Sequence, residues 1–452
     1  MKTIIGPPGT GKTQYIENLI KNGNNDDFLY MTYNASMGDF ARKRIDENPD
    51  RIGTFHSILS RMLGISPFLS PNDLTEFAKR YGISYGPEKE LDRFLRWYDY
   101  IENTMKKPFT PSGEKLAMLF LYDKYKEYKE EMGKYDYTDI LKIASQNTME
   151  SGTLYIDEAQ DLTPLMWKIV DNFNAEKIIV GDPHQSINSY RGVDINAFMR
   201  HAENIEYLRE SYRFGDNLRV IADKSLSSGR VLNVDYHGLG NTQIGNVKSI
   251  REFAMMEGEK AILCRTNNLA YKLANTLEYA MLPISQRHSW NNGWGKDTFK
   301  IAGIMSKFPK ISPDEFAYII KKSPATLWQR GVKSVVMKEP TIFSYNMMRE
   351  KIDRRGIVMK LNVKEETIRN TLKLIDNPGL PRIFIDTIHS AKGLEFDHVL
   401  LVSDLPSGLK FEAEEKRILY TGITRARKSF NFAAARFYHE NFTIPGIEAF
   451  AL

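Results

Sequence analysis

One eight-residue segment, Gly-Pro-Pro-Gly-Thr-Gly-Lys-Thr at positions 6–13, constrains the fold of this 452-residue chain more than any other feature. It matches G-x-x-x-x-G-K-[ST] in full. A short apolar run, residues 2–5, precedes it, and an amphipathic pattern over residues 14–20 follows. Glycines let the backbone wrap closely around an anion, and the N-terminus of the following helix attracts negative charge. The segment therefore predicts a strand, a phosphate-binding loop and a helix, in that order.

Two more positions complete the chemistry that such a loop needs. Lys12 is predicted to reach the β- and γ-phosphates of a nucleotide, and Thr13 to ligate Mg²⁺. An apolar run at residues 153–156 ends in Asp157 and Glu158, which are predicted to hold Mg²⁺ and to polarise the attacking water, respectively. The rest of the predicted ATP site comes from the loop and its flank: Gly6, Pro7, Pro8, Gly9, Thr10, Gly11 and Gln14.

Short apolar runs alternate with helical patterns along most of the chain, which is typical of parallel α/β sheets. A first set of predicted strands covers residues 2–5, 28–33, 153–156 and 177–180, and a second set covers residues 260–263, 382–385 and 399–402. Charged, mainly helical stretches interrupt each set. We therefore predict a first core at 1–60 and 135–205, a helical insertion at 61–134, a second core at 206–290 and 381–452, and an inserted subdomain at 291–380.

Composition narrows the class of protein. The net charge of +5 and the isoelectric point of 8.8 are compatible with a phosphate-backbone partner without identifying one. The single cysteine, Cys264, excludes an intrachain disulfide and argues against a cysteine-based zinc site. No signal peptide is expected before the loop, and no apolar run is long enough to span a bilayer. A cytoplasmic location is expected, in the host cytoplasm if the chain is viral.

The chain resembles the superfamily 1 DNA helicases of the UvrD/Rep/PcrA type. Motif-like segments follow the order of that family over nearly the whole length, at residues 53–57, 135–141, 157–161, 181–192, 210–213, 387–396 and 414–426. The resemblance implies two RecA-like P-loop cores with two inserted, mainly helical subdomains, in a compact member of the family. The family's glutamine segment, which reads adenine, is not seen before residue 6, so use of other nucleoside triphosphates remains open.

The resemblance also implies roles in the nucleotide site. Gln185 is placed as the sensor of the γ-phosphate. Arg213 and Arg425 are placed as two arginine fingers from the second core, where a guanidinium suits the charge on the transferring phosphoryl group. Tyr212 is placed to stack on adenine, and Glu395 to contact the nucleotide sugar.

On the nucleic-acid side, the resemblance implies stacking of bases on aromatic rings, which tolerates any sequence. The implied DNA-binding residues are Tyr33, Thr54, His56, Tyr190, Arg191 and His389. For Tyr33, a place in the packed core is a serious alternative.

The function implied is that of an ATP- and Mg²⁺-dependent helicase that moves 3′ to 5′ as a monomer on single-stranded and tailed duplex DNA, with replication or repair proteins as possible partners. Three alternatives remain: a DNA-stimulated ATPase that remodels protein–DNA complexes, an RNA motor, and a non-catalytic scaffold. The intact set of candidate catalytic residues argues against the scaffold.

Overall fold

A computed structural model describes residues 1–23, 27–45, 48–86, 89–109, 117–267, 269–270, 272–274, 284–285, 304, 312–322, 383–403, 413–434 and 450–451. The chain forms two compact units: Met1–Asn241 with Lys410–Thr424, and Thr242–Leu409 with Arg425–Leu452. Each contains a parallel sheet, so the predicted α/β class is confirmed. The predicted insertion at 291–380 lies outside the described residues except for 304 and 312–322.

The first unit is built on a six-stranded sheet in the order β3-β2-β4-β5-β1-β6, with every neighbouring pair parallel. Its strands are β1 (Lys2–Ile5), β2 (Phe28–Thr32), β3 (Ile52–Thr54), β4 (Met149–Asp157), β5 (Phe173–Gly181) and β6 (Ile205–Tyr207). A small pair, β7 (Glu210–Ser211) with β8 (His237–Gly238), follows. In parallel sheets, sites form beyond the carboxyl ends of the strands. Here β1 and β4 end at the phosphate loop and at Asp157.

Helices cover this sheet and form the predicted insertion. They are α1 (Lys12–Asn22), α2 (Ala35–Ile45), α3 (Phe55–Leu63), α4 (Pro71–Arg80), α5 (Glu90–Thr104), α6 (Ala117–Met132), α7 (Tyr137–Ala144), α8 (Pro164–Asn172), α9 (Ile195–His201) and α10 (Asp216–Leu226). Side-chain caps begin several of them, at Thr54, Ser70, Asp136 and Thr163. Within residues 61–134, the described part is mainly helical, as predicted.

Burial of both faces explains why β2 is mainly apolar. All five residues of Phe28–Thr32 are buried. Successive side chains of a strand point to opposite faces, and here Phe28 and Tyr30 join one hydrophobic cluster while Leu29 and Met31 join the other. Helices α4–α6 have a separate aromatic core, centred on Phe77, Phe94, Tyr98 and Tyr125.

The second unit contains a seven-stranded parallel sheet in the order β11-β12-β10-β13-β14-β15, with β9 also paired to β14. Its strands are β9 (Gln243–Ile244), β10 (Lys260–Cys264), β11 (Ile284–Ser285), β12 (Ile383–Thr387), β13 (Phe396–Ser403), β14 (Ala426–Ala434) and β15 (Phe450–Ala451). Its helices with defined bounds are α11 (Ile250–Met255) and α12 (Pro313–Lys322). The three strands predicted for this core are present as β10, β12 and β13, and all lie in its centre.

Two stretches assigned to the second core by sequence belong to the first unit. Residues 206–241 do so because β6 pairs with β1 and because β7 and β8 pair with each other. Helix α13 (Ala413–Ile423) does so because it packs against α10 and is buried throughout residues 417–423. The predicted boundary at 205 is therefore wrong. Strand β6 has three residues, none of them fully buried, so it carries little apolar signal.

Candidate nucleotide-binding site

The loop between β1 and α1 has the backbone that its glycines predict. Gly9 and Gly11 adopt φ values of 79° and 81°, in the left-handed region that glycine tolerates best. Gly11 begins α1 without a side-chain cap, and the first turn of that helix carries no acidic residue. Helix N–H groups without a capping side chain attract anions, as does the helix dipole. The backbone of the loop is therefore suited to bind a phosphate.

Lys12 is 8% exposed and lies within this loop. Its Nζ donates hydrogen bonds to the carbonyl oxygens of Gly6, at 2.7 Å, and Pro7, at 3.2 Å. Burial lowers the pKa of the Lys12 ammonium, while the carboxylates of Asp182 and Glu158 act in the opposite direction. A buried ammonium held only by loop carbonyls is well placed to gain a stronger, anionic partner.

Asp157 lies at the end of β4, directly opposite the start of α1. Its Oδ2 accepts hydrogen bonds from the hydroxyls of Thr13, at 2.6 Å, and Tyr30, at 2.8 Å. Burial raises the pKa of Asp157, and the neighbouring charge of Glu158 raises it further. A hydroxyl and a carboxylate side by side are hard oxygen ligands that suit Mg²⁺. In the part of the chain described, no cluster of three or more His, Cys, Asp or Glu side chains could hold a metal by itself.

Glu158 has an unusual backbone, with φ of 55° in the left-handed region. Its carboxylate accepts a short hydrogen bond from Nε2 of Gln160. Oε1 of Gln160 in turn accepts from the backbone N–H of Asp182, at 2.9 Å. Gln160 thus connects the candidate water-activating group to the loop after β5. Gln160 and Tyr30 carry no sequence signal for a role in the site; their burial beside two carboxylates results from the fold.

Gln185 is buried in that loop, and its Nε2 donates to Oδ2 of Asp182 at 2.9 Å. Asp182 therefore links Gln185 to the Gln160–Glu158 pair, because Gln160 also hydrogen-bonds to Asp182. Helix α13 closes over the same loop, because Nε of Arg417 donates to the Ser186 carbonyl at 2.8 Å.

The segment after β6 lies against the phosphate loop. The Ser211 hydroxyl donates to the Pro8 carbonyl at 2.7 Å, and the Tyr212 N–H donates to the Gly9 carbonyl at 2.9 Å. Tyr212 is 67% exposed, so its ring is open to a ligand. Arg213 was predicted to reach this site from the second core, and that assignment is wrong. It belongs to the first unit and lies beside Gly9, because β6 carries the chain back to the sheet.

The other candidates for the nucleotide site lie in the second unit. Arg425 is 1% exposed, and its Nη1 donates to the Leu394 carbonyl at 3.1 Å. Glu395 pairs with Nη1 of Arg427 at 3.3 Å. His389, a candidate for DNA contact, accepts a backbone bond from Lys392 in the turn after β12.

Three of the DNA-contact candidates come together in the first unit. Nη1 of Arg191 donates to the Tyr33 hydroxyl at 2.7 Å. The guanidinium carbon lies 5.7 Å from the centre of the Tyr33 ring and 5.4 Å from that of Tyr190. Tyr190 is 56% exposed. Tyr33 is partly buried and packs against the core, and burial raises the pKa of its hydroxyl. Tyr33 therefore packs partly into the core, and its contact with DNA stays a prediction.

Thr54 and His56 lie at the start of α3. Thr54 caps the helix, since its Oγ1 accepts from the Ser57 N–H at 3.2 Å. Burial lowers the pKa of His56 to about 4, so the ring is neutral at pH 7. Tyr137, which sequence analysis did not assign, meets His56 edge-on at 5.6 Å and stacks on Phe68 at 5.8 Å. Tyr137 is 68% exposed, so this cluster is open to solvent.

Gly9→Ala is expected to weaken nucleotide binding. An added Cβ would lie 2.5 Å from Cβ of Arg213 and 2.7 Å from Oγ of Ser211, and the left-handed backbone costs a further ~1–2 kcal/mol for alanine. Titration of a fluorescent ATP analogue measures the affinity. Gly64→Ala is the matched control, because Gly64 also has positive φ but nothing lies within 4 Å of its Cβ position. Equal affinities in the two variants would contradict the expectation.

The phosphate loop, the acidic strand end and the parallel sheet define a P-loop nucleoside-triphosphatase fold. A family model described as an AAA domain matches residues 1–191, and one described as the UvrD-like helicase C-terminal domain matches residues 345–436. In these two parts the chain is similar to an AAA domain and to the C-terminal domain of UvrD-like helicases.

Individual relatives are distant. The chain is 23% identical over 499 residues to F-box DNA helicase 1 of Gallus gallus, covering 94% of this chain and 46% of that protein. It is 23% identical over 386 residues to F-box DNA helicase protein 1 of Schizosaccharomyces pombe, covering 79% of this chain and 39% of that protein. It thus spans less than half the length of these curated relatives.

Among solved structures, the helicase nonstructural protein 10 of an arterivirus is similar, with a TM-score of 0.37 and 13% identity. That alignment covers 95% of this chain and 59% of the arterivirus chain. None of the helices in the described residues is both long and apolar enough to cross a membrane.

Proposed function

We propose that this chain hydrolyses ATP to move along single-stranded DNA and thereby unwinds duplex DNA. One observation carries the proposal. A continuous hydrogen-bonded path joins the candidate catalytic carboxylate Glu158, through Gln160 and Asp182, to Gln185. Gln185 lies five residues before the exposed Tyr190, which is grouped with Arg191 and Tyr33. A path of this kind lets the state of the nucleotide affect a surface suited to DNA.

The nucleotide half of the proposal assigns one task to each group. Lys12 and the N–H groups of the loop bind the phosphates, and Arg213 lies beside the loop to offset charge on the phosphoryl group in transfer. Thr13 and Asp157 would hold Mg²⁺, which when bound neutralises phosphate charge. Glu158 orients the attacking water and accepts its proton, a role that a carboxylate fixed by Gln160 suits. The open ring of Tyr212 is a surface for the base.

The DNA half rests on two exposed aromatic groups. Tyr190, Tyr33 and Arg191 form one, and Tyr137 with His56 forms the other. Stacking of a base on an aromatic ring contributes ~1–3 kcal/mol and is independent of sequence. Arg191 adds positive charge for the phosphate backbone. Neutral His56 offers a ring N–H rather than a charge. We propose that two residues of the second unit, Arg425 and Glu395, contact the nucleotide. We propose that His389 of the same unit contacts DNA, as the family resemblance implies.

The decisive experiment compares duplexes with a single-stranded tail at either end. We expect strand displacement from a 3′ tail in the presence of ATP and Mg²⁺, and ATP hydrolysis that single-stranded DNA stimulates. The same chain carrying Lys12→Ala controls for passive melting. Displacement from the 5′-tailed duplex alone would refute the proposed polarity. Stimulated hydrolysis without displacement from either tail would favour the second candidate, an ATPase that remodels protein–DNA complexes.

A further inference from the structure

Helix α13 contacts two different functional regions of the first unit through its two ends. Near its beginning, the Glu414 carboxylate accepts two hydrogen bonds from Ser189, one from the backbone N–H at 2.9 Å and a short one from the hydroxyl. Just past its end, the Thr424 carbonyl accepts from Nη1 of Arg213 at 3.2 Å. Ser189 precedes Tyr190 of the proposed DNA surface, and Arg213 lies beside Gly9 of the phosphate loop.

Between these ends, buried side chains of the helix contact the loop after β5. Arg417 is buried, and its Nε donates to the Ser186 carbonyl at 2.8 Å. Burial lowers the pKa of this guanidinium, and the carbonyl bond partly satisfies a group whose desolvation is costly. Tyr420, also buried, meets His184 edge-on at 5.8 Å. With 11 residues in a rigid helix, α13 has a length of about 16 Å.

The segment that contacts α13, residues 186–189, is short. It is also hydrogen-bonded to the loop that follows β4. The Ser186 hydroxyl donates to the Gln160 carbonyl at 3.2 Å, and Nδ2 of Asn188 donates to Asp161 at 3.1 Å. Beyond these residues, Ser189 and Tyr190 are exposed, and the Ser189 hydroxyl donates a hydrogen bond to Glu414. The position of Tyr190 thus depends on a contact with α13 as well as on its own loop.

We propose that α13 transmits the state of the nucleotide site to the DNA surface, and that Glu414 is the positioning residue through which it does so. A displacement of Arg213 when phosphate binds would move Thr424 and the helix, and the Glu414–Ser189 contact would carry that movement to Tyr190. Coupling of this kind is a free energy shared by two sites and is reciprocal. The inference rests on the proposed function, because it needs both ATP hydrolysis and DNA binding.

The test measures ATP hydrolysis with and without oligo(dT), together with the oligo(dT) dissociation constant. For Glu414→Gln and Glu414→Ala, we expect the stimulation by oligo(dT) to fall about three- to tenfold, as for the loss of an exposed charge-assisted contact. Basal hydrolysis and melting temperature should stay close to wild type. Glu127→Gln, the same change at an exposed position of α6, is the matched control and should leave the stimulation unchanged.

A double-mutant cycle with Ser189→Ala separates a specific contact from a general disturbance. The two changes should be non-additive in their effect on stimulation, since Ser189→Ala removes the hydroxyl bond to Glu414 that Glu414→Ala also removes. Full stimulation in both Glu414 variants, or strict additivity with Ser189→Ala, would overturn the role of α13 while leaving the proposed function standing. A wild-type protein that oligo(dT) does not stimulate would overturn both.

Discussion

Lys12→Ala is expected to abolish ATP hydrolysis while binding of single-stranded DNA largely survives. Lys12 is the buried cation of the phosphate loop, and its present partners are the carbonyls of Gly6 and Pro7. Alanine removes the only side-chain charge that the loop itself supplies to the phosphates. The aromatic groups proposed to bind DNA are made of other residues, so they keep their geometry. Hydrolysis by the purified variant and its affinity for labelled oligo(dT) measure the two effects.

Lys2→Ala is the matched control for this change. Lys2 lies on β1, just before the loop, and pairs with Glu206 at 2.8 Å on a partly exposed surface. Exposed pairs contribute ~0–1 kcal/mol to stability, so this variant should hydrolyse ATP normally. Hydrolysis near the wild-type rate in Lys12→Ala would show that Lys12 does not act on the phosphates.

Glu158→Gln is expected to bind ATP and barely hydrolyse it. The substitution keeps the shape of the side chain and an oxygen that can accept from Gln160, but it removes the carboxylate that takes a proton from water. The loss of a general base costs ~10²–10⁴-fold in rate. The Glu158→Gln substitution also removes the negative charge that raises the pKa of Asp157. Single-turnover hydrolysis and nucleotide retention on the variant distinguish chemistry from binding.

Glu150→Gln provides the control on the same strand. Glu150 is an exposed residue of β4, so its loss should leave both binding and rate unchanged. A rate within tenfold of wild type for Glu158→Gln would mean that another group activates the water.

The nucleotide site was predictable where a local pattern dictated the geometry. A glycine loop after an apolar run requires a left-handed backbone, and Gly9 and Gly11 adopt it. Likewise, an apolar strand that ends in two acidic residues brought Asp157 to within 2.6 Å of Thr13, although 144 positions separate them. The buried strands were found because both faces must be apolar, and the errors in their bounds are a few residues at the ends.

What the sequence did not reveal depends on contacts between distant segments. Arg213 was placed in the second core by the family resemblance, and the three residues of β6, none of them fully buried, carry no strong strand pattern that would indicate otherwise. The position of α13 in the first unit depends on Arg417 and Ser186, 231 positions apart. Gln160 and Tyr137 lie in motif-like segments, at 157–161 and 135–141, but no individual role was predicted for either. Neither carries a periodic signal, because burial of the first and exposure of the second are decided by the fold.

The left-handed backbone of Glu158 has a consequence for how this chain can change over time. A glutamate whose backbone has φ of 55° is strained. Glycine would avoid this cost in free energy, and asparagine would reduce it. Replacement of Glu158 by glycine would thus relieve backbone strain, but it would remove the carboxylate. The molecule therefore accepts a local stability deficit at the point where its proposed chemistry takes place.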